Sequence, residues 1–313
     1  MIFPRARSSG RLAGAARLGN AMARLKAVLL ALALLPLPVA SAIPSQPSPA
    51  DEQRVITLAP HITELIFAAG AGDRIIATVA SSDYPHAARA LPRVGDGLSV
   101  SAEKIVALGP DIVIAWRDSA ALRALQPILQ NMRVPLLYSE PRALRDIPEQ
   151  IRRFGAVFST RAVAEAAAQA LDDRLAALRA RHGRRPPRSV FVEVGTMPLY
   201  TLGADPLLND TLAICGGANL YADAPVAAAQ VGVEDILARN PDLILVPASD
   251  EQQTLAALKR WTALGLPAAH AGRVYGIHPD LLFRPGPRLV DAAEELCKKM
   301  DYPVRPGSTE TPQ

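Results

Sequence analysis

Residues 103–114 read EKIVALGPDIVI and residues 234–245 read EDILARNPDLIL, and the two align without a gap at an offset of 131 positions. Each copy holds a Glu, then Ile, then Ala, then Pro-Asp, then a run of branched apolar residues. Both predict the same local physics. A short helix carries a carboxylate in its first turn, it stops at the residue before proline, and a strand buried on both faces follows. Working outward, Arg54-Val55-Ile56 stands in about the same relation to the first copy as Ser189-Val190-Phe191 does to the second. Leu65 to Gly72, helix then glycines, corresponds roughly to Leu212 to Gly217. An offset this long excludes a solenoid. Strand alternating with helix argues for parallel α/β units. The fold class is therefore α/β, with two pseudo-symmetric lobes.

Between the copies, residues 147–183 are rich in Ala, Leu, Arg and Glu at helical spacing, with Gly155 and Ser159-Thr160 as a potential break into two helices. From Thr160 to Arg181 there is no Pro or Gly, a stretch of 22 residues or roughly 33 Å of helix. Such a helix is a stiff strut that joins the two lobes. The boundaries follow as an N-terminal lobe over 54–146, the linking helix over 147–183 and a C-terminal lobe over 184–302.

The ends of the chain are of another kind. Residues 1–42 carry Arg5, Arg7, Arg11, Arg17, Arg24 and Lys26 with no acid, then the apolar run Ala27–Leu35, then Ala40-Ser41-Ala42. This is the pattern of an export signal peptide, too short in its apolar part to span a bilayer. No Cys near that point could carry a lipid. A Pro/Ser-rich leader over 43–53 and a tail over 303–313 read as disordered. The formal charge of +4 belongs to the signal: without its six basic residues, 28 Lys and Arg face 30 Asp and Glu. Nothing here points to nucleic acid. Two cysteines remain, Cys215 and Cys297, an even count in an exported chain that reads as one disulfide or as two buried thiols.

Several runs together resemble a known family. RVITLAPHITELIFAAG at 54–70, SSDYP at 81–85, LPRVGD at 91–96 and EKIVALGPDIVIAW at 103–116 are similar to periplasmic cobalamin-binding proteins. ICGGANLY at 214–221 and RPGPRLVDAAEELC at 284–297 extend the likeness through the second half. These proteins belong to the helical-backbone class of ABC-importer binding proteins, which also serves ferric siderophores and haem. The resemblance implies a periplasmic, monomeric binding protein without a cofactor of its own, delivering cobalamin or a related corrinoid to a permease dimer with its ATPase subunits. It implies a Cys215–Cys297 disulfide. It also implies that Glu103 and Glu234, the repeat-related carboxylates, meet arginines on the permease.

For the ligand, the resemblance carries over Tyr84, Trp116 and Asp280. Four further aromatic positions of the family fall at Gly97, Val194, Ala228 and Leu281, which are not aromatic here. His61, Tyr200, Phe283 and Arg284 are added as candidates because each falls in a loop after a predicted strand, and ligands of open α/β sheets sit beyond the carboxyl ends of strands. His61 is expected between the first strand and first helix, facing the cleft as a ligand contact, or else capping the helix or facing solvent; His278 is read in the same way, and neither is assigned a metal. Only Arg284 and Arg117 qualify as cleft cations, which favours a neutral, bulky ligand over a siderophore. No nucleophile–base pair or cofactor motif suggests an enzyme, although Asp83 and Asp280 are a conceivable carboxylate pair.

Overall fold

The computed structural model describes residues 53–96, 99–183 and 186–301. The predicted signal peptide, the leader up to residue 52 and the tail lie outside them. In the first lobe the chain runs β1 (Val55–Thr57), α1 (Pro60–Ala68), β2 (Ile75–Val79), β3 (Arg93–Gly95), α2 (Ala102–Leu108), β4 (Ile112–Ala115), α3 (Ala120–Asn131) and β5 (Leu136–Tyr138). Its sheet is parallel throughout, in the order β3-β2-β1-β4-β5. Two helices follow, α4 (Asp146–Val157) and α5 (Arg161–His182).

The second lobe runs β6 (Arg188–Thr196), β7 (Leu199–Leu202), α6 (Pro206–Ala213), β8 (Gly217–Asn219), β9 (Ala228–Gln230), α7 (Val233–Arg239), β10 (Leu243–Pro247), α8 (Glu251–Ala263), α9 (Pro267–His270), β11 (Val274–Ile277), α10 (Pro279–Leu282) and α11 (Arg288–Met300). Here β8, β6, β10 and β11 are parallel, but β7 folds back on β6 and β9 lies antiparallel to β7. The lobes are thus related in their central strands and differ at one flank.

The repeat is explained at atomic level. Both short helices end in a left-handed residue, Gly109 at φ 55° and Asn240 at φ 48°, and glycine or asparagine is what such a C-cap tolerates. The Pro-Asp that follows does a second job. Asp111 Oδ2 accepts from Arg54 N at 2.8 Å, and Asp242 Oδ2 accepts from Ser189 N at 2.7 Å. In each lobe the same aspartate therefore ties the repeat strand to the start of the lobe's first strand. The rougher correspondence holds as well: α1 and α6 each close near a glycine with positive φ, Gly70 at 79° and Gly216 at 75°.

Alternate residues of the central strands feed different cores, as the two-residue period of a strand requires. In β4, Val113 and Ala115 join an outer core of the first lobe with Ile105 of α2 and Leu125 of α3. In β10, Ile244 and Val246 join an outer core of the second lobe with Trp261 of α8. The other strand faces, Ile112 and Ile114, and Leu243 and Leu245, belong to one buried cluster shared by both lobes. Ala164, Ala168, Leu171 and Leu175 of α5 run through that cluster, with Leu289, Val290 and Leu296 of α11. The break that splits the linker is at Ser159, φ 59°. Gly155 is required there, because a Cβ at that position would come within 2.2 Å of the Ala164 Cβ.

Polar contacts reinforce the strut. Arg152 of α4 pairs with Glu165 and Asp172 of α5, and Arg174 of α5 pairs with Asp291 and Glu294 of α11. Cys215 and Cys297 are bonded, with Cα atoms 4.7 Å apart, fastening the end of α6 to α11. Among the described residues, no helix is long and apolar enough to cross a membrane.

Candidate functional site

The first lobe presents the loops that follow β1, β2, β4 and β5 to the segment that follows β11 in the second. Where they meet, five charged side chains form one cluster. Arg288 holds Glu64 through two hydrogen bonds, Nη2 to Oε1 at 2.5 Å and Nε to Oε2 at 3.0 Å. Arg284 bonds Asp83 Oδ1 through Nη1 at 2.6 Å and Asp280 Oδ1 through Nη2 at 2.7 Å. Glu64 and Asp83 belong to the first lobe and the other three to the second, so both arginines bridge the lobes. The members differ in exposure. The side chain of Glu64 is 1% exposed, Arg284 12% and Arg288 16%, whereas Asp280 is 34% and Asp83 45% exposed.

The electrostatics follow this layering. Burial pushes the Glu64 carboxyl above the usual carboxylate range, with Arg288 pulling the other way. At Asp83 burial also acts upward, but the hydrogen bond and charge of Arg284 outweigh it and hold the carboxyl below its ordinary value. Neither Asp83 nor Asp280 is a free base, and the carboxylate pair considered from the sequence is instead the pair that clamps Arg284.

Beside the cluster lie the aromatic candidates. Tyr84 is half exposed, and the Arg288 guanidinium sits 4.3 Å from the centre of its ring. Trp116, at the end of β4, has Arg117 4.4 Å over its face and His61 edge-on at 5.3 Å. Trp116 and Phe283 line a pocket of about 240 Å³ between the lobes, with Arg117 and Arg142 on one wall and Leu207 and Leu289 on the other. Trp116 also borders a pocket of about 310 Å³ within the first lobe, beside Leu58, Val100 and Leu122.

The loop bearing Asp83 and Tyr84 is held from below. Thr57, Thr63, Thr78 and Ser82 are all fully buried, and their hydroxyls bond to one another at 2.7–3.3 Å. This hydroxyl cluster satisfies four polar groups that would each be costly alone.

Two expectations need correction. His61 does not face the cleft from a loop. Helix α1 begins at Pro60, so His61 lies in its first turn, and it is 1% exposed. Its Nε2 lies 3.2 Å from the Ser139 carbonyl oxygen and so is the protonated nitrogen. The ring supports Trp116 from beneath, and the capping role belongs to His278, whose Nδ1 accepts from Asp280 N at 3.2 Å. Arg284 is likewise no free cleft cation, because both aspartates engage it. Tyr200 lies inside β7, opposite Gln230. Of the lost aromatic positions, Val194 and Ala228 are exposed, Leu281 is half buried and Gly97 is outside the described residues.

Sequence reasoning passed over Glu64 and Arg288. An acid inside the apolar run HITELIF was the available signal, since a carboxylate on a buried helix face requires a partner. Glu103 and Glu234 are both exposed in the first turns of α2 and α7, and among the described residues neither forms an ion pair.

Two lobes, a helical strut and a cleft walled by both are the marks of a two-lobed solute-binding protein. The match to the family described as "Periplasmic binding protein" spans residues 55–281, and the chain belongs to that family. It is 35% identical over 248 residues to the vitamin B12-binding protein of Photorhabdus laumondii, covering 79% of this chain and 88% of that one. With the vitamin B12-binding protein of Yersinia pestis the identity is 33% over 280 residues, covering 87% and 96%. Among solved structures it is similar to the periplasmic vitamin B12 binding protein BtuF of Vibrio cholerae (TM-score 0.72, 31% identity, 80% of this chain and 97% of that one). It is also similar to the periplasmic heme-binding protein RhuT of Roseiflexus (TM-score 0.69, 26% identity, 80% and 98%).

The buried imidazole yields a pH prediction. Burial pulls the His61 pKa down from 6.5 to about 4, with the Ser139 carbonyl acting weakly the other way. Between those values the unfolded chain binds a proton that the folded chain refuses, so stability falls as pH falls. The loss from this group begins near pH 6.5 and is complete near pH 4, reaching roughly 3 kcal/mol. Urea unfolding across that window should show a shallower decline for His61→Gln than for the wild type; parallel declines would contradict the assignment.

Proposed function

We propose that this protein is the periplasmic component of an ABC importer and that it captures cobalamin or a related corrinoid between its lobes. The observation that carries the reading is the placement of Trp116, Tyr84 and Phe283 around the junction of the lobes. These are flat apolar surfaces suited to a large planar ligand, in a chain about a third identical to proteins named for vitamin B12 binding. Asp280, beside them, offers a carboxylate to ligand N–H groups. Haem is the second reading, favoured by the likeness to RhuT. The chain performs no chemistry; its work is selective capture and delivery, with transport driven by ATP hydrolysis in other subunits.

The architecture also supports a mode of action. A core shared by both lobes and a 22-residue strut resist the wide hinge motion of binding proteins joined by flexible strands. Closure on the ligand is therefore small. Delivery falls to Glu103 and Glu234, one exposed carboxylate in the same motif of each lobe, which meet arginines on a permease of approximate two-fold symmetry.

Two outcomes follow. Calorimetric titration with cyanocobalamin should show binding that Trp116→Ala weakens by about 1–3 kcal/mol, the scale of one buried aromatic contact. Hemin bound and cyanocobalamin ignored would establish the second reading instead. For docking, Glu103→Arg combined with Glu234→Arg should leave ligand affinity unchanged and abolish ligand-dependent growth. Normal uptake by that double variant would reduce the two carboxylates to helix-terminal residues.

A further inference from the structure

The charge cluster is layered in a way that bears on selectivity. Its guanidinium groups lie beneath, with the side chains of Arg284 and Arg288 only 12% and 16% exposed. Its accessible members are the carboxylates of Asp83 and Asp280. Three carboxylates face two guanidiniums, so the cluster as a whole carries an excess negative charge. Each arginine is already committed: Arg288 to Glu64 in a two-bond pair, Arg284 to one aspartate through each terminal nitrogen.

We propose that Asp83, together with Asp280, makes this cluster a charge filter that admits ligands with an amide periphery and rejects those with a carboxylate periphery. The inference rests on the cleft reading given above. A primary amide can donate N–H to either exposed carboxylate oxygen. A ligand carboxylate has only lone pairs to offer, and it would meet lone pairs of the same charge. Within the cluster, the two guanidiniums that could have welcomed it are already engaged, Arg284 by Asp83 and Asp280 and Arg288 by Glu64. Asp83 stays ionised because Arg284 holds its carboxyl below the ordinary range, so it cannot turn donor at neutral pH. The two aspartates therefore serve two ends at once: they satisfy a buried guanidinium and set the sign of the surface the ligand sees. The cluster would likewise distinguish a corrinoid, whose edge is lined with amides, from haem, whose edge carries two propionates.

The test uses ligands that differ only in charge. Cyanocobalamin and its monocarboxylic acids, in which one propionamide has become a carboxylate, are titrated into the purified protein at pH 7.5. The wild type should bind the acids about tenfold more weakly than the amide, the effect of one like-charge contact at a partly wetted surface. Asp83→Asn should shrink that ratio several-fold. Asp83 is nearly half exposed, so the variant is expected to fold, and thermal unfolding is the check on that. In the wild type alone, 1 M salt should also shrink the ratio, because exposed charges are screened at that ionic strength. Equal binding of acid and amide by the wild type, or a ratio that neither Asp83→Asn nor salt changes, would overturn the filter. A wild type that does not bind cyanocobalamin at all would overturn the corrinoid reading itself, and the filter with it.

Discussion

The pairing of Glu64 with Arg288 is the contact on which the arrangement of the two lobes turns. Glu64 is almost completely removed from water, and its partner lies 224 positions along the chain, in the other lobe. A buried carboxylate without a partner would cost several kcal/mol, and breaking such a pair typically costs about 3–5 kcal/mol. The two-bond geometry also fixes the orientation of both groups, which a single point contact would not. Because Arg288 opens α11, the pair sets where that helix begins relative to α1. The neighbouring contacts follow from it: Arg284, four residues earlier in the segment before α11, reaches Asp83, and the Arg288 guanidinium backs the ring of Tyr84. Apolar packing of both lobes around α5 gives the junction its stability, and the ion cluster gives it a definite geometry.

The proposed ligand surfaces are supported in layers. Trp116 projects from the end of β4, but its position is set by His61 beneath and Arg117 above. Tyr84 projects from a loop, a poor place for precision, and the loop is held by buried hydroxyls on one side and by Asp83 on the other. The proposed binding surface, made of loop residues, is thus anchored to strand and helix at several points. This suits a cleft that must present a flat face repeatedly without large rearrangement.

Much of this was legible in the residues. The Pro-Asp repeat pointed to two related lobes because a helix stop and a doubly buried strand leave strong local signatures, and the strut was visible as an unbroken helical run. What failed did so for identifiable reasons. The antiparallel β7–β9 flank breaks the pseudo-symmetry, and short strands such as Ala228–Gln230 carry little periodic signal. His61 is expected between the first strand and first helix, although Pro60 at the first helical position is itself a start signal that brings it into the helix. The ion cluster was the least visible feature. Arg284, Asp280 and Asp83 are noticeable one by one in the sequence, but Asp83 lies 201 residues from Arg284 and Glu64 lies 224 residues from Arg288. Pairing over that distance is a property of the fold, and no local pattern encodes it.

The central claim, that the Glu64–Arg288 pair sets the angle between the lobes, can be measured by pulsed electron spin resonance between labels at the exposed positions 130 and 252, one on each lobe. The account predicts a narrow distance distribution in the wild type and a broadened or displaced one in Arg288→Met that still folds around the shared core. A folded Arg288→Met variant with the wild-type distribution would contradict it.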